Sequence, residues 1–206
     1  MCRSSSNKAM FIEPLRYAPP MSEPPDKQTL PDRNAGDFSD WLRSNSSQDG
    51  VDVPCGDCNA CCRASYFIHV TPADTQALAH IPAELLFPAP GKPPGHLVMG
   101  FDQRGHCPML ENGACSIYPH RPQTCRDFDC RLFAATGLPA GGRKKQDVNG
   151  AAAAWQFSYA TEKARHCHTM LKSIAGELAA TSGLEESPTR IAILAIKNLC
   201  SSASGR

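Results

Sequence analysis

The sequence predicts a small α+β fold, on three observations: cysteines crowded into one stretch, short β-prone runs between turn residues, and helical periodicity confined to the carboxyl-terminal part. Eleven of the 206 residues are cysteine, and eight of those fall between Cys55 and Cys130. Such a density belongs to a chain whose irregular middle is held by sulfur chemistry rather than by a large apolar core. The expected organisation has three parts: a mostly disordered proline-rich extension over residues 1–54, a cysteine-cluster domain of short strands and a hairpin over 55–135, and C-terminal helices over 136–206 that pack on it.

The extension carries seven prolines between Pro14 and Pro54 and little apolar periodicity, a composition that cannot bury enough surface to offset the ordering of its backbone. Within it Phe38-Ser39-Asp40-Trp41-Leu42 can form one docked helical turn. Met21 is a second candidate start, and Cys2 reads as a spare thiol. Beyond the first cysteines, Tyr66-Phe67-Ile68-His69-Val70 is rich in aromatic and β-branched types and reads as a strand. Thr71 then stands as an N-cap before Pro72 and Asp74, which predicts a helix from Pro72 to about Ala79. The segment from Pro88 to Gly95 is too rich in proline and glycine for regular structure, and Leu97 to Phe101 reads as another strand. From about Gly150 the pattern is helical: Trp155 and Tyr159 lie four apart, and Cys167, Met170, Leu171, Ile174 and Leu178 recur at helical spacing before Gly183. A last helix opens on Ser187 and Pro188 and is apolar on most sides, so it needs a cover from the domain or from a protein partner.

Charge and targeting signals narrow the function classes. Lys and Arg number 21 against 20 Asp and Glu, which argues against a nucleic-acid surface. The amino terminus has no basic and apolar leader, and the longest aliphatic run, Ile191 to Ile196, is six residues where a membrane span needs roughly 20. The expectation is a cytoplasmic protein without a membrane partner. In that reducing compartment clustered cysteines are more often metal ligands or catalytic thiols than disulfides.

The cysteines have ligand spacing. Cys55-Gly56-Asp57-Cys58-Asn59-Ala60-Cys61-Cys62 places four sulfurs in eight residues, and two-residue spacers let flanking thiolates turn towards one ion while the backbone curls around it. Gly56 and Asn59 tolerate the left-handed conformations such a turn needs. Cys61 and Cys62 are adjacent, so both can serve only with two ions, a bridging sulfur, or one non-ligand in the set. Cys107 and Cys115 flank a hairpin turning at Asn112-Gly113. A three-residue loop, pairing Leu110 with Ala114 and Met109 with Cys115, would bring Cys107 and Cys115 to one face, and that register is expected over the two-residue turn. Pro122 can open a helical turn carrying Cys125, with Cys130 at its end or beyond. Arg63, Arg121, Arg126 and Arg131 are expected as counter-charges that lower the thiol pKa values. The candidate metal ligands are therefore Cys55, Cys58, Cys61, Cys62, Cys107, Cys115, Cys125 and Cys130.

The ordered set Cys55-x2-Cys58-x2-Cys61-Cys62, Cys107-Pro108 to Leu110, Gly113-x-Cys115-x-Ile117-Tyr118, Arg121-Pro122-x2-Cys125-Arg126-x-Phe128 and Cys130 resembles the CxxCxxCC-type zinc- or iron-chelating domain family, the YkgJ-type cysteine cluster proteins. The resemblance covers about residues 54 to 135. It implies binding of a metal ion or an iron–sulfur cluster; one relative with an assigned activity is flagellin lysine N-methylase. The long amino-terminal extension and the helical carboxyl-terminal part depart from the minimal family domain.

Neither spacing nor charge separates zinc from an iron–sulfur cluster, since each accepts four thiolates; three cysteines at successive two-residue spacing favour the cluster slightly, and paired four-cysteine knuckles would favour zinc. Not all eight cysteines need bind, and buried inert thiols are the bland alternative. His106 and His120 are more ordinary as exposed loop histidines than as ligands. His166 and His168 lie about 200° apart on a helix and cannot chelate together; that segment reads as a helix surface with Cys167 buried. Gly142-Arg143-Lys144-Lys145 reads as a solvated basic linker. The leading function is a metal-binding cysteine cluster protein with a redox or metal-handling role. The alternatives are a metal-dependent protein-modifying enzyme like the lysine methylase relative, and a structural zinc module for macromolecular interaction. No G-x-G cofactor loop, Ser/His/Asp set or carboxylate pair supports the enzyme.

Overall fold

The computed structural model describes residues 33–46, 53, 58–182 and 187–204. Within them the chain runs β1 (Arg33–Asp37), α1 (Phe38–Ser46), β2 (Ile68–Val70), α2 (Thr75–His80), β3 (Leu86–Pro88), β4 (Leu97–Met99), β5 (Leu110–Glu111), β6 (Ala114–Cys115), α3 (Gln123–Asp127), α4 (Arg131–Thr136), α5 (Gln146–Ala153), β7 (Trp155–Ser158), α6 (Glu162–Thr181) and α7 (Pro188–Ser204). The predicted mix of short strands with helices at the carboxyl end is observed.

Among the described residues three apolar cores order the fold. The first lies under the antiparallel sheet β2-β4-β3 and α2, where Val70, Ala77, Ile81, Met99, Met109 and Ile117 are buried. The second is central and small-residue rich, with Ala64, Val148, Ala151 and Ala152 around Phe133 and Trp155. The third is helical: Phe38 and Trp41 of α1 and Leu132 and Ala135 of α4 meet Leu171 and Ala175 of α6 and Ala192, Ile196 and Leu199 of α7. Helix α4 is shared, since its Phe133 faces the second core and its Leu132 the third. A buried ion pair reinforces this junction. Arg131 Nε donates to both oxygens of Asp129 at 2.9 and 3.0 Å, and Trp41 Nε1 donates to Asp129 Oδ2 at 2.8 Å. Arg131 Nη1 donates to the Ala35 carbonyl at 3.3 Å, so one guanidinium fastens α4 to β1.

Several expectations are corrected. Residues 33–46, read as part of the irregular extension with at most one docked turn, form β1 and α1, with Phe38 fully buried. The docked turn at Phe38–Leu42 is thus the start of a real helix, capped by Asp37, whose Oδ1 accepts from Ser39 N at 2.8 Å. Trp155 does not begin a helix. It starts β7, which pairs in parallel with β1 and alternates buried Trp155 with exposed Gln156. Helix α2 begins at Thr75 rather than Pro72; residues 71–74 form a turn closed by Asp74 N donating to the Thr71 carbonyl at 3.0 Å, and Asp74 Oδ2 accepts from both Thr71 N and Thr71 Oγ1 at 2.7 Å. The strand predicted over Tyr66–Val70 is shorter, and Leu86–Pro88 adds an edge strand unread in the sequence, with Pro88 at the edge where a missing N–H costs nothing. Of the other expectations, Met21, Cys2, Cys55 and Gly183 lie outside the described residues.

Candidate metal centre

The first knuckle ends in a 3-10 turn, Cys61–Arg63, closed by Cys62 N donating to the Asn59 carbonyl at 2.9 Å. Left-handed backbone falls on Ser65 (φ 51°), not on Asn59. Asn59 acts through its side chain instead, donating to the Gly113 carbonyl of the hairpin turn at 2.7 Å. Two further bonds pin the knuckle to the second cysteine segment: Cys107 N donates to the Cys62 carbonyl at 2.6 Å, and Ser65 N to the Gly105 carbonyl at 2.9 Å. Gly105 is required there. Its φ is 83°, and a β-carbon would lie 2.3 Å from Ser65 Oγ.

The hairpin adopts the two-residue turn, with Leu110 opposite Cys115 and Glu111 opposite Ala114, and not the predicted three-residue register. Asn112 (φ 49°) and Gly113 (φ 82°) both take positive φ, the geometry of the type I′ turn that Asn-Gly favours and that matches strand twist. Cys107 and Cys115 nevertheless come together. Leu110 N donates to the Cys107 carbonyl at 2.9 Å, so the chain turns before the strand begins and residue parity does not extend back to Cys107. Both thiols pack on the first core.

Cys125 is carried by α3, which Pro122 precedes as predicted. Two bonds fasten that short helix: Gln123 N donates to Asp74 Oδ1 at 2.8 Å and Thr124 Oγ1 to the His69 carbonyl at 2.8 Å. Cys130 lies beyond α3, immediately before α4, and is buried in the second core, where Trp155 Nε1 donates to its sulfur at 3.1 Å. Cys58 and Cys61 pack against the same core. Cys58, Cys61 and Cys130 thus line the central core and Cys107 and Cys115 the sheet core, on the two sides of one seam. Cys167 and Cys200 sit apart, half-buried against the helical core.

The electrostatics show how close the first group is. Burial pushes the Cys125 thiol up to about 12, helped by the charges of Cys61, Cys107 and Cys115. The Cys61 thiol is pushed well above its ordinary value, first by its hydrogen bond with Cys62 and then by burial. Cys107 and Cys115 are also raised, burial being the larger cause in each. The expected lowering by arginines is therefore overturned. Arg121 opposes the rise at Cys115 and Cys125, and at Cys115 the hydrogen bond from the Ile117 backbone opposes it more strongly. Arg126 donates to the carbonyls of Arg121 and Pro119, at 3.2 and 2.7 Å, and Arg131 is committed to Asp129.

Beside the sulfurs stands Tyr66, unread in the sequence as part of a site. Burial first, then the charges of Cys61 and Cys130, push its phenol up to about 12. Its hydroxyl is buried and has no hydrogen-bond partner among the described residues. Lys145 covers the ring, with Nζ 3.2 Å from the centroid and bonded to the Ala64 carbonyl, so the basic stretch is no solvated linker at this residue. The histidines take other roles. His120 stacks on His80 with ring centroids 4.0 Å apart, and His69 Nε2 lies 2.9 Å from His96 Nδ1. His168, not Cys167, is the buried member of its helix segment. Among the described residues no three His, Cys, Asp or Glu side chains are gathered closely enough to hold one ion. Cys55 lies outside them, and the donor chemistry of the rest, soft sulfur converging from four chain segments, fits zinc or iron.

Residues 54–152 match the family model CxxCxxCC, "Putative zinc- or iron-chelating domain". This stretch is similar to the CxxCxxCC family. The match extends past the cysteines through α5, which buries Val148 and Ala151 in the same core as Cys130. The family description supports zinc or iron as the partner of this stretch. No curated protein and no solved structure matches the chain. No helix among the described residues is long and apolar enough to cross a membrane.

Proposed function

We propose that this CxxCxxCC-like stretch binds its metal through thiolates of Cys55, Cys58, Cys61, Cys62, Cys107, Cys115, Cys125 and Cys130, and that the metal staples the seam between two small cores. The observation that carries this reading is the convergence of Cys61, Cys107, Cys115 and Cys125, from separate segments, into a group whose charges oppose one another with Arg121 as the opposing cation. The run Cys55, Cys58, Cys61 favours an iron–sulfur cluster over zinc as the bound form. When bound, a cluster would supply one-electron redox chemistry and zinc a fixed tetrahedral centre. This chain's part is to give up the thiol protons and draw the sulfurs together. The raised thiols are protonated near neutral pH, so metal binding releases protons and tightens as pH rises.

Anaerobic purification followed by assay of iron, sulfide and zinc, with a visible spectrum, tests this. Broad visible absorption with stoichiometric sulfide is expected. Colourless protein carrying zinc would replace the cluster by a structural zinc site, and protein that takes up neither metal would overturn the reading. Cys125→Ser should lose metal, whereas Cys200→Ser should retain it.

A further inference from the structure

Where the helical bundle meets the cysteine region, packing leaves a cavity of about 570 Å³ between the end of α1, the link from α3 to α4 and the outer face of α7. That volume is typical of small-molecule sites, about 300–1,000 Å³. Phe128, Leu132, Phe133, Ile193 and Ile196 give it an apolar lining. Ile193 stays 43% exposed there, although Ala192 and Ile196 beside it on α7 are buried in the helical core. Three charged residues also line the cavity, and they differ in what they already hold. Asp129 is committed to Arg131 and Trp41. Asp127 uses one oxygen, Oδ1, which accepts from Gln123 Nε2 at 2.6 Å, and its Oδ2 accepts nothing among the described residues. Lys197 has no hydrogen-bond or ion-pair partner among them, Asp127 included. Two opposite charges therefore stand at one apolar cavity without neutralising each other.

We propose that this cavity binds a small zwitterion with an apolar body, a free apolar amino acid or an apolar dipeptide. Its ammonium donates to Asp127 Oδ2, its carboxylate accepts from Lys197 Nζ, and its apolar side chain covers Ile193 and Phe128. The charge pattern selects this class. A fatty acid would bring its carboxylate to Asp127 as well as to Lys197, and an amine would leave Lys197 unmatched. An uncharged apolar molecule would strip water from both charges without replacing it. A zwitterion meets each charge with its opposite, while its side chain removes the exposed face of Ile193 from water. The inference does not depend on the metal-binding reading, since no cysteine sulfur takes part in the recognition.

The test is calorimetric titration of the full chain, as purified, with phenylalanine, leucine, tryptophan and leucylleucine, the last separating dipeptide from free amino acid. At least one is expected to bind. Asp127, Ile193 and Lys197 are all exposed, so substitutions there leave the fold intact. Lys197→Met and Asp127→Asn should each weaken that ligand about three- to fivefold, the upper range for an exposed ion pair, and Ile193→Asp about tenfold. Analogues separate recognition from packing. The amide of the ligand, which lacks the carboxylate, should bind parent and Lys197→Met alike, and the N-acetyl derivative, which lacks the ammonium, should bind parent and Asp127→Asn alike. Failure of all four probes to bind would overturn the inference, as would binding that none of the three variants weakens. A variant that weakens ligand and matching analogue equally would overturn the assigned contacts. A dimer by light scattering that Ile193→Asp splits, with no probe bound, would give this face to a second copy of the chain and overturn the inference as well.

Discussion

The cysteine seam and the helical bundle of α1, α4, α6 and α7 hold themselves together by different means. The bundle buries long apolar side chains: Phe38 and Leu171 are fully enclosed, and α6 begins with a satisfied cap, Ala164 N donating to Thr161 Oγ1 at 3.1 Å. The seam has strands of two or three residues, 3-10 turns and a core made largely of alanine. Burial of apolar surface yields about 25 cal/mol per Å², and alanines bury little. One region can stand on its own packing, and the other needs cross-links.

The sharpest way to break that contrast is to strip the metal. Structural zinc commonly contributes about 10–16 kcal/mol to folding small domains, so a chelator should expose the amides of residues 58–130 to rapid hydrogen exchange while α6 and α7 stay protected. Equal loss of protection in both regions would erase the distinction. Next in size is the bundle itself. Phe38→Ala should cost about 3–5 kcal/mol by chemical denaturation and leave metal stoichiometry unchanged; a loss of metal would mean that the two regions fold as one.

The smallest effect is titration within the bundle. His168 Nε2 donates to the Ala135 carbonyl at 3.0 Å and Nδ1 accepts from Tyr159 Oη at 2.7 Å, a neutral ring stacked on Phe38 at 4.4 Å. Burial pushes its pKa down to about 4. Folding therefore favours the uncharged form. The stability it contributes is whole above about pH 6.5 and is lost as pH falls towards 4, roughly 3 kcal/mol at most. His168→Gln should flatten the acid limb of the stability profile over that window, measured by urea titration at successive pH values; an unchanged limb would assign the acid sensitivity elsewhere.

Where residue spacing reported on local chemistry, it was legible. Pro122 before the helix of Cys125, Asn112-Gly113 at a turn, and the separation of Cys200 from the cluster were all readable because each depends on a few neighbouring residues. The register at the hairpin was misread because parity was carried back to Cys107 across a segment that turns at Leu110. Trp155 and Tyr159 were misread for a related reason. A spacing of four is even, so it suits strand alternation as well as a helix face, and the deciding partner, β1, lies at the other end of the chain. The arginines were assigned by sequence proximity to cysteines, yet a buried guanidinium goes to whichever carboxylate the fold encloses with it, and for Arg131 that is Asp129.

By itself the sequence determined that sulfur dominates this protein, which eight thiols are its candidate ligands, and that short strands precede long helices. Those properties are written in composition and short spacing. Only the tertiary structure decided that residues 33–46 belong to the fold, that burial outweighs arginine at the thiols, and that Tyr66 lies among them. Each of these depends on which distant surfaces exclude water together, and no local pattern encodes that.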